Sequence, residues 1–426
     1  MRKLAMLALS AMALCSANAA AEDVIVHAGK VLAVPGEGYL NRQSIRISDG
    51  VITGIEDGYA RARNGETVVN LKNSFVLPGL IDSHVHLTSE NGPDARLRTL
   101  TDSDVDAALF GAENARKTLN AGFTAVQDVG GSNEAVLSLR DAVRRGRVPG
   151  PHIRASGRPV TPTGGHGDAN GYSPILSAVL TGDNTCNGVA DCRRAVRQAV
   201  KDGADVIKIT ATGGVLSNTA AGLGQQFFDD ELEAIVATAH SMGRKVTAHA
   251  HGKVGIEAAL RAGIDSIEHG TYLDDETIAL FKENNATLVP TVIAGVTVTG
   301  WVDEEWLPAP SRAKAAIVGP LMLDMLTRAR IGGVRIAFGT DTGVSAHGTN
   351  ADEFGLMVQA GFTPEEAIRA ATVIASEHIE MDSQIGTLEA GKLADMIALD
   401  DDPLENVEAL LDVDFVMKGG VVYKDN

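Results

Sequence analysis

Leu77-Pro78-Gly79-Leu80-Ile81-Asp82-Ser83-His84-Val85-His86-Leu87 is the stretch on which the reading of this chain turns. An apolar run leads into a His-x-His pair. On a strand, successive side chains alternate faces, so His84 and His86 point the same way. Two imidazoles on one face can chelate a single cation, and imidazole suits zinc and its neighbours. The alternative is a strand end with two solvated histidines, and the rest of the chain must decide.

Outward from this stretch, short apolar runs alternate with helical patterns. Strands are expected at 80–86, 123–129, 151–156, 205–211, 245–250, 264–268, 286–291 and 334–340. Helices are expected at 104–121, 190–202, 229–242, 253–262, 274–284, 313–331 and 363–376, several with a glycine near the C-terminal end. Alternating β and α implies an α/β fold with a parallel sheet and outer helices. Eight repeats favour a closed (β/α)8 TIM barrel over an open sheet. Residues 22–79 and 385–426 read instead as short strands and turns. They are expected to meet in a small β-sandwich domain built from both chain ends, with the barrel at 80–384.

A barrel gathers its functional side chains at the C-terminal ends of its strands. The sequence fits that rule. His84 and His86 end the first strand, Lys208 lies in the fourth, His249 ends the fifth, His269 follows the sixth and Asp341 ends the eighth. In Val206-Ile207-Lys208-Ile209 the lysine faces away from both isoleucines, toward the interior if those face the helices. A buried ammonium is costly and its pKa falls, which favours the neutral, nucleophilic amine. Such an amine can take up carbon dioxide as a carbamate, a bidentate anion able to bridge two cations. The alternative is an unmodified lysine paired with Asp341. His249 and His251 share a face by their spacing of two, and His269 is a plausible further imidazole for the same cation. Asp341 can both touch metal and hold a proton.

On these residues the sequence resembles the amidohydrolase superfamily, in its binuclear-metal branch. More narrowly it resembles the imidazolonepropionase-related dipeptidases, the Xaa-Pro and Xaa-Arg/Lys group that includes ochratoxinase. The stretches that carry this are Gly203-Ala204-Asp205-Val206-Ile207-Lys208 with Thr212-Gly213-Gly214-Val215, Ala248-His249-Ala250-His251-Gly252, Ser266-Ile267-Glu268-His269-Gly270-Thr271, and Ile385 to Asp395. The resemblance implies two divalent metal ions, usually zinc. His84, His86 and Asp341 would hold one, His249 and His269 the other, with carboxylated Lys208 as the bridge. It further implies an amide hydrolase working by metal-activated hydroxide, with Asp341 as general base and then acid.

It also suggests that His251, and His166 in Thr163-Gly164-Gly165-His166-Gly167, bind the substrate carboxylate; the alternative is rim histidines bonded to backbone. Trp301 and Trp306, in the loop after strand seven, are candidates to line the pocket or simply part of an exposed acidic loop. His347 is a weak pocket candidate, and His27, His152, His240 and His378 receive no role. The expected substrates are dipeptides or N-acyl amino acids, ochratoxin-type amides included. Rival readings are a lactonase, phosphotriesterase or cyclic-amide hydrolase on the same metals, and a non-catalytic secreted metal-binding protein. A deaminase ranks low because Lys208 is present and Gly252 follows His251.

Composition sets the remaining bounds. The 426 residues are 44% hydrophobic and 22% charged, with a formal net charge of −18. That charge excludes a nucleic-acid backbone as partner. A homo-oligomer is compatible with it. Arg2 and Lys3, the apolar run Leu4 to Leu14 and Ala17-Asn18-Ala19 read as a signal peptide over residues 1–21. A periplasmic or secreted protein is therefore expected, with no membrane contact after cleavage. Cleavage would leave Cys186 and Cys192, which flank Asn187-Gly188 and can close a small disulfide loop.

Overall fold

The structure, a computed structural model, describes residues 23–219 and 221–426; the expected signal peptide lies outside the described residues. Four strands open the described chain: β1 (Val24–Val31), β2 (Leu40–Ser48), β3 (Val51–Asp57) and β4 (Thr67–Pro78). Eight follow from the central region: β5 (Leu80–Val85), β6 (Phe123–Asp128), β7 (His152–Ala155), β8 (Ile207–Thr210), β9 (Val246–Ala250), β10 (Ser266–His269), β11 (Thr287–Val289) and β12 (Arg335–Ile336). The C-terminal end adds β13 (Met396–Leu399), β14 (Phe415–Lys418) and β15 (Val421–Asp425).

Both chain ends enter one seven-stranded sheet, in the order β15-β14-β13-β4-β1-β2-β3. The long β4 joins the halves, parallel to β1 on one side and antiparallel to β13 on the other. Val51 of β3 also bridges Leu393, and Ile52 N donates to Lys392 O, so the sheet curls back on itself. Its inner face closes over Val26, Ile45, Ile52, Val76, Met396 and Phe415. The sandwich expected from both ends is therefore one continuous ladder folded over, because β4 leaves no break between them.

The chain passes from this sheet into β5 through Gly79. A Cβ there would sit 2.2 Å from Thr124 Oγ1 on β6, so glycine is required by close approach. The eight central strands form two parallel sheets, β5-β6-β7 and β8-β9-β10-β11-β12. Backbone hydrogen bonds join these at both seams. At one, Val160 N donates to Lys208 O at 2.8 Å and Thr210 N to Val160 O at 3.1 Å. At the other, Ser83 N donates to Phe338 O at 2.9 Å and His86 N to Thr342 O at 2.8 Å.

Several elements depart from expectation. The eighth strand, expected over 334–340, is regular only at Arg335–Ile336; beyond it the backbone bends and Asp341 adopts φ +60°. The helix expected over 313–331 is two, Ala309–Val318 and Met322–Ile331, divided at Gly319-Pro320. Proline supplies no backbone N–H there, and its ring crowds the preceding turn. Helices also form at Ala95–Thr101, Asn133–Arg144, Pro174–Leu180, Val292–Gly300 and Asp352–Gln359. Cys186 and Cys192 are disulfide-bonded at the start of the helix Val189–Asp202. Among the described residues no helix is long and apolar enough to cross a membrane.

Candidate active site

The C-terminal ends of the central strands deliver a histidine-rich cluster to one cavity of 290 Å³. His84 comes from β5 and His86 from just beyond it. Lys208 comes from β8, His249 from β9 and His269 from the last position of β10. Asp341 follows β12, and His166 and His251 come from the loops after β7 and β9. All eight line the cavity.

Two groups stand out within it. Donor atoms of His84, His86 and Asp341 lie within 4.8 Å of one another, as do those of His249, His251 and His269. Asp341 Oδ1 sits 3.3 Å from His84 Nε2 and 3.1 Å from His86 Nε2, without the alignment of a hydrogen bond. The rings of His249 and His269 approach to 4.6 Å, and those of His84 and His269 to 5.2 Å, which places the groups side by side.

His84, His86, His251 and His269 are each oriented through Nδ1. His84 Nδ1 pairs with Glu268 Oε2 at 2.6 Å, and His86 Nδ1 donates to Gly130 O at 2.9 Å. His269 Nδ1 pairs with Thr291 Oγ1 at 2.7 Å and His251 Nδ1 with Thr271 Oγ1 at 2.8 Å. These contacts leave the Nε2 atoms of His84 and His86 turned inward, the arrangement second-layer partners give to metal-binding histidines. The backbone shares in the arrangement. His269, Thr291 and Asp341 all take positive φ (72°, 52° and 60°), a conformation disfavoured for non-glycine residues and concentrated at functional sites.

The donor set fits cations. Among the described residues Lys208 Nζ and His249 Nε2 are buried without a hydrogen-bond partner, and Asp341 Oδ1 has none either. Buried polar atoms are almost always paired, so three orphans in one cavity point to missing ligands. Imidazoles and a carboxylate are donors that zinc takes.

Electrostatics keep the groups in ligand-competent states. Burial, reinforced by the neighbouring imidazoles, holds His249 and His269 well below the ordinary histidine range. Burial lowers Lys208, with Glu268 and Asp341 acting the other way. For Asp341 burial is outweighed by His84 and His86, which leave its carboxyl well below the carboxylate range. Burial would raise Glu268, but Lys208 and His84 overcome it and hold the group at about 2. His166 falls to about 4 and His251 to about 3, both by burial first.

All the site residues expected from sequence thus meet in one place, with two refinements. His251, set aside for substrate, stands with His249 and His269 and stacks on the latter at 4.8 Å. His166 and His251 are held by the hydroxyls of Ser217 and Thr271 rather than by backbone. The tryptophans are a correction: Trp301 lines a neighbouring cavity, and Trp306 packs edge-on against it at 5.0 Å. The helix Val292–Gly300 sends Ala294, Gly295 and Val298 to the site wall in their place. His347 is buried, bonded to Ser89 O at 2.9 Å, and does not line the cavity.

Glu268 was not singled out from the sequence. It is fully buried, orients His84 and accepts a short hydrogen bond from Thr247 Oγ1. A carboxylate in the middle of a buried strand was the available signal.

A profile of the amidohydrolase family matches residues 75–423. Ochratoxinase of Aspergillus niger is 33% identical over 436 residues, covering 95% of this chain and 87% of that protein. A solved Xaa-Pro dipeptidase with methionine bound in its active site superposes with a TM-score of 0.90 at 39% identity, covering 94% of this chain and all of that one (100%). A prolidase complexed with N-methylphosphonate-L-proline gives 0.87 at 31% identity, covering 95% of this chain and 100% of that one. This chain belongs to the amidohydrolase family and is a hydrolase acting on amide or peptide bonds.

Proposed function

We propose that the protein is an exported, two-metal hydrolase of dipeptides or N-acyl amino acids, built on a closed (β/α)8 barrel. The bonded seams on either side of the two parallel sheets support the closed barrel. One observation carries the functional reading: the unpartnered Nζ of Lys208 is buried in the cavity that both donor groups line. His84, His86 and Asp341 would hold one metal. His249 and His269 would hold the other, with His251 alongside.

Burial favours the neutral amine of Lys208. Its Nζ would take up carbon dioxide, with a C–N bond formed and a proton released to solvent, and the resulting carbamate would be an anionic donor to the metals. The metals, when bound, supply activated water and polarise the scissile carbonyl. Asp341, with Oδ1 turned toward His84 and His86, uses Oδ2 to take the proton of the attacking water. It then delivers that proton to the leaving nitrogen, as base and then acid. His166 and His251 are kept neutral by burial and offer ring N–H groups to a substrate carboxylate. Val215, Leu216, Val298, Val318 and Met322 form an apolar wall beside them. That wall suits a substrate with an apolar side chain, as pockets of this kind combine apolar lining with a few convergent polar groups.

The signal-like N-terminus and the Cys186–Cys192 bond support export, since disulfides persist in oxidising compartments. Cell fractionation tests this, and an exclusively cytosolic chain of unchanged length would refute it. For the activity, the zinc-loaded mature protein is screened against dipeptide and N-acyl amino acid libraries, with metal content measured in parallel. Cleavage with about two metals per chain is the expected result. Two metals with no amide cleaved would favour a non-catalytic metal-binding protein.

A further inference from the structure

Lys314 lies on the helix Ala309–Val318, outside the ring of groups that line the active cavity. Its ammonium is partly buried and makes no ion pair among the described residues. Instead Nζ donates to three backbone carbonyls of one loop: Gly214 O at 2.7 Å, Ser217 O at 2.8 Å and Thr219 O at 3.3 Å. A lysine carries three N–H donors and no acceptor, so this nest uses its full capacity. Ser311, one turn earlier on the same helix, adds a hydroxyl bond to Ser217 O at 3.4 Å.

The loop so gripped follows β8 and forms part of the site. Val215 and Leu216 line the cavity, and Ser217 Oγ pairs with His166 Nδ1. Gly214 lies against the same imidazole: a Cβ there would sit 2.2 Å from His166 Cε1. Gly213 N donates to Gly224 O at 3.1 Å beside the Thr212–Gln225 bridge, but beyond Gly213 no helix or strand ladder holds the segment, and its two glycines give it more conformational freedom than any other residue type would. Something outside the loop must therefore fix it. The helix that does so also sends Val318, one turn after Lys314, into the cavity wall.

We propose that Lys314 is a positioning residue, whose ammonium pins the loop 213–219 over the cavity and thereby sets where His166 and the apolar wall meet the substrate. This rests on the hydrolase reading for its kinetic consequence but not for its structural one.

The test compares wild type with Lys314→Met, which keeps the length of the side chain and removes the charge. Backbone hydrogen exchange at residues 213–219, measured on the metal-loaded protein without substrate, should speed up at least tenfold in the variant. With a cleaved dipeptide, KM should rise about tenfold while kcat stays within about twofold. Adding His166→Ala to Lys314→Met should raise KM by less than the product of the two separate effects, because part of the Lys314 effect is made through His166. Unchanged exchange overturns the latch. Faster exchange with unchanged KM, or additive KM effects, overturns the positioning of His166. Should Lys314→Met fail to fold, Ser217→Ala separates the parts: KM rises while exchange in the loop stays at the wild-type rate. An unchanged KM in that variant also overturns the proposal. A wild type that cleaves no amide refutes the hydrolase reading, and the exchange measurement still decides the latch.

Discussion

At the scale of single residues, three side chains divide the labour of the metal site. On the proposed two-metal reading Lys208 would supply the bridge, so Lys208→Ala should lose metal and activity together, as read by metal analysis and turnover of the same preparation. Asp341 has a second task, and Asp341→Asn should keep most of the metal while turnover falls roughly 10³-fold. Glu268 does not line the cavity and acts through His84 Nδ1 at 2.6 Å. Glu268→Gln should weaken metal binding by about 10- to 100-fold in a chelator competition, because an outer carboxylate fixes the ring and raises its basicity. Most of these positions were legible in the sequence. Histidine, lysine and aspartate at strand ends announce ligand chemistry whatever surrounds them. Glu268 was not legible, because its importance lies in a partner 184 positions away.

At the scale of elements, the helix Val292–Gly300 shows how far local preference can be overruled. Its sequence, VIAGVTVTG, is rich in β-branched residues that favour strands. Its first N–H groups have no partner within the helix. The fully buried Glu353 accepts from Val292 N at 2.9 Å and Ile293 N at 2.7 Å, capping the helix from another element. Thr291, just before it, orients His269, so the cap reaches the site. Burial raises the Glu353 carboxyl to about 8, the two N–H bonds opposing it only in part. Between the ordinary value of 4.5 and about 8, the folded protein keeps a proton that the unfolded chain has released. Stability from this group is therefore full at low pH and falls as pH rises through that window. Denaturant midpoints at pH 5 and pH 8 should show this fall in wild type and a smaller one in Glu353→Gln. Glu353→Ala, which removes the acceptor altogether, should cost about 2 kcal/mol. No periodicity argument finds such a cap, because donor and acceptor belong to different helices.

At the scale of the whole molecule, both ends of the described chain are bound into one sheet and the central strands are bonded at both seams. The α/β alternation was readable because burial patterns repeat over a few residues. The curl of the end sheet, the brevity of β12 and the break at Gly319-Pro320 depend on neighbours instead. The disulfide is local in sequence but matters globally. Cys192 anchors the first turn of the helix Val189–Asp202, which buries Ala195 and Val196 in the main hydrophobic core. Replacing both cysteines by serine should lower unfolding free energy by about 2 kcal/mol, as expected for a short closed loop. Denaturant unfolding of oxidised wild type and the double variant measures it.

The sequence by itself determined the donor atoms and the face each strand presents. Side-chain chemistry and the alternation of a strand are properties of a few adjacent residues. Only the tertiary structure decided which donors share a centre, that His251 stands with His249 and His269, and that Lys314 and Glu353 hold loops and helices in place. Those facts are distances between parts of the chain far apart in sequence, and such distances exist only once the strands have assembled.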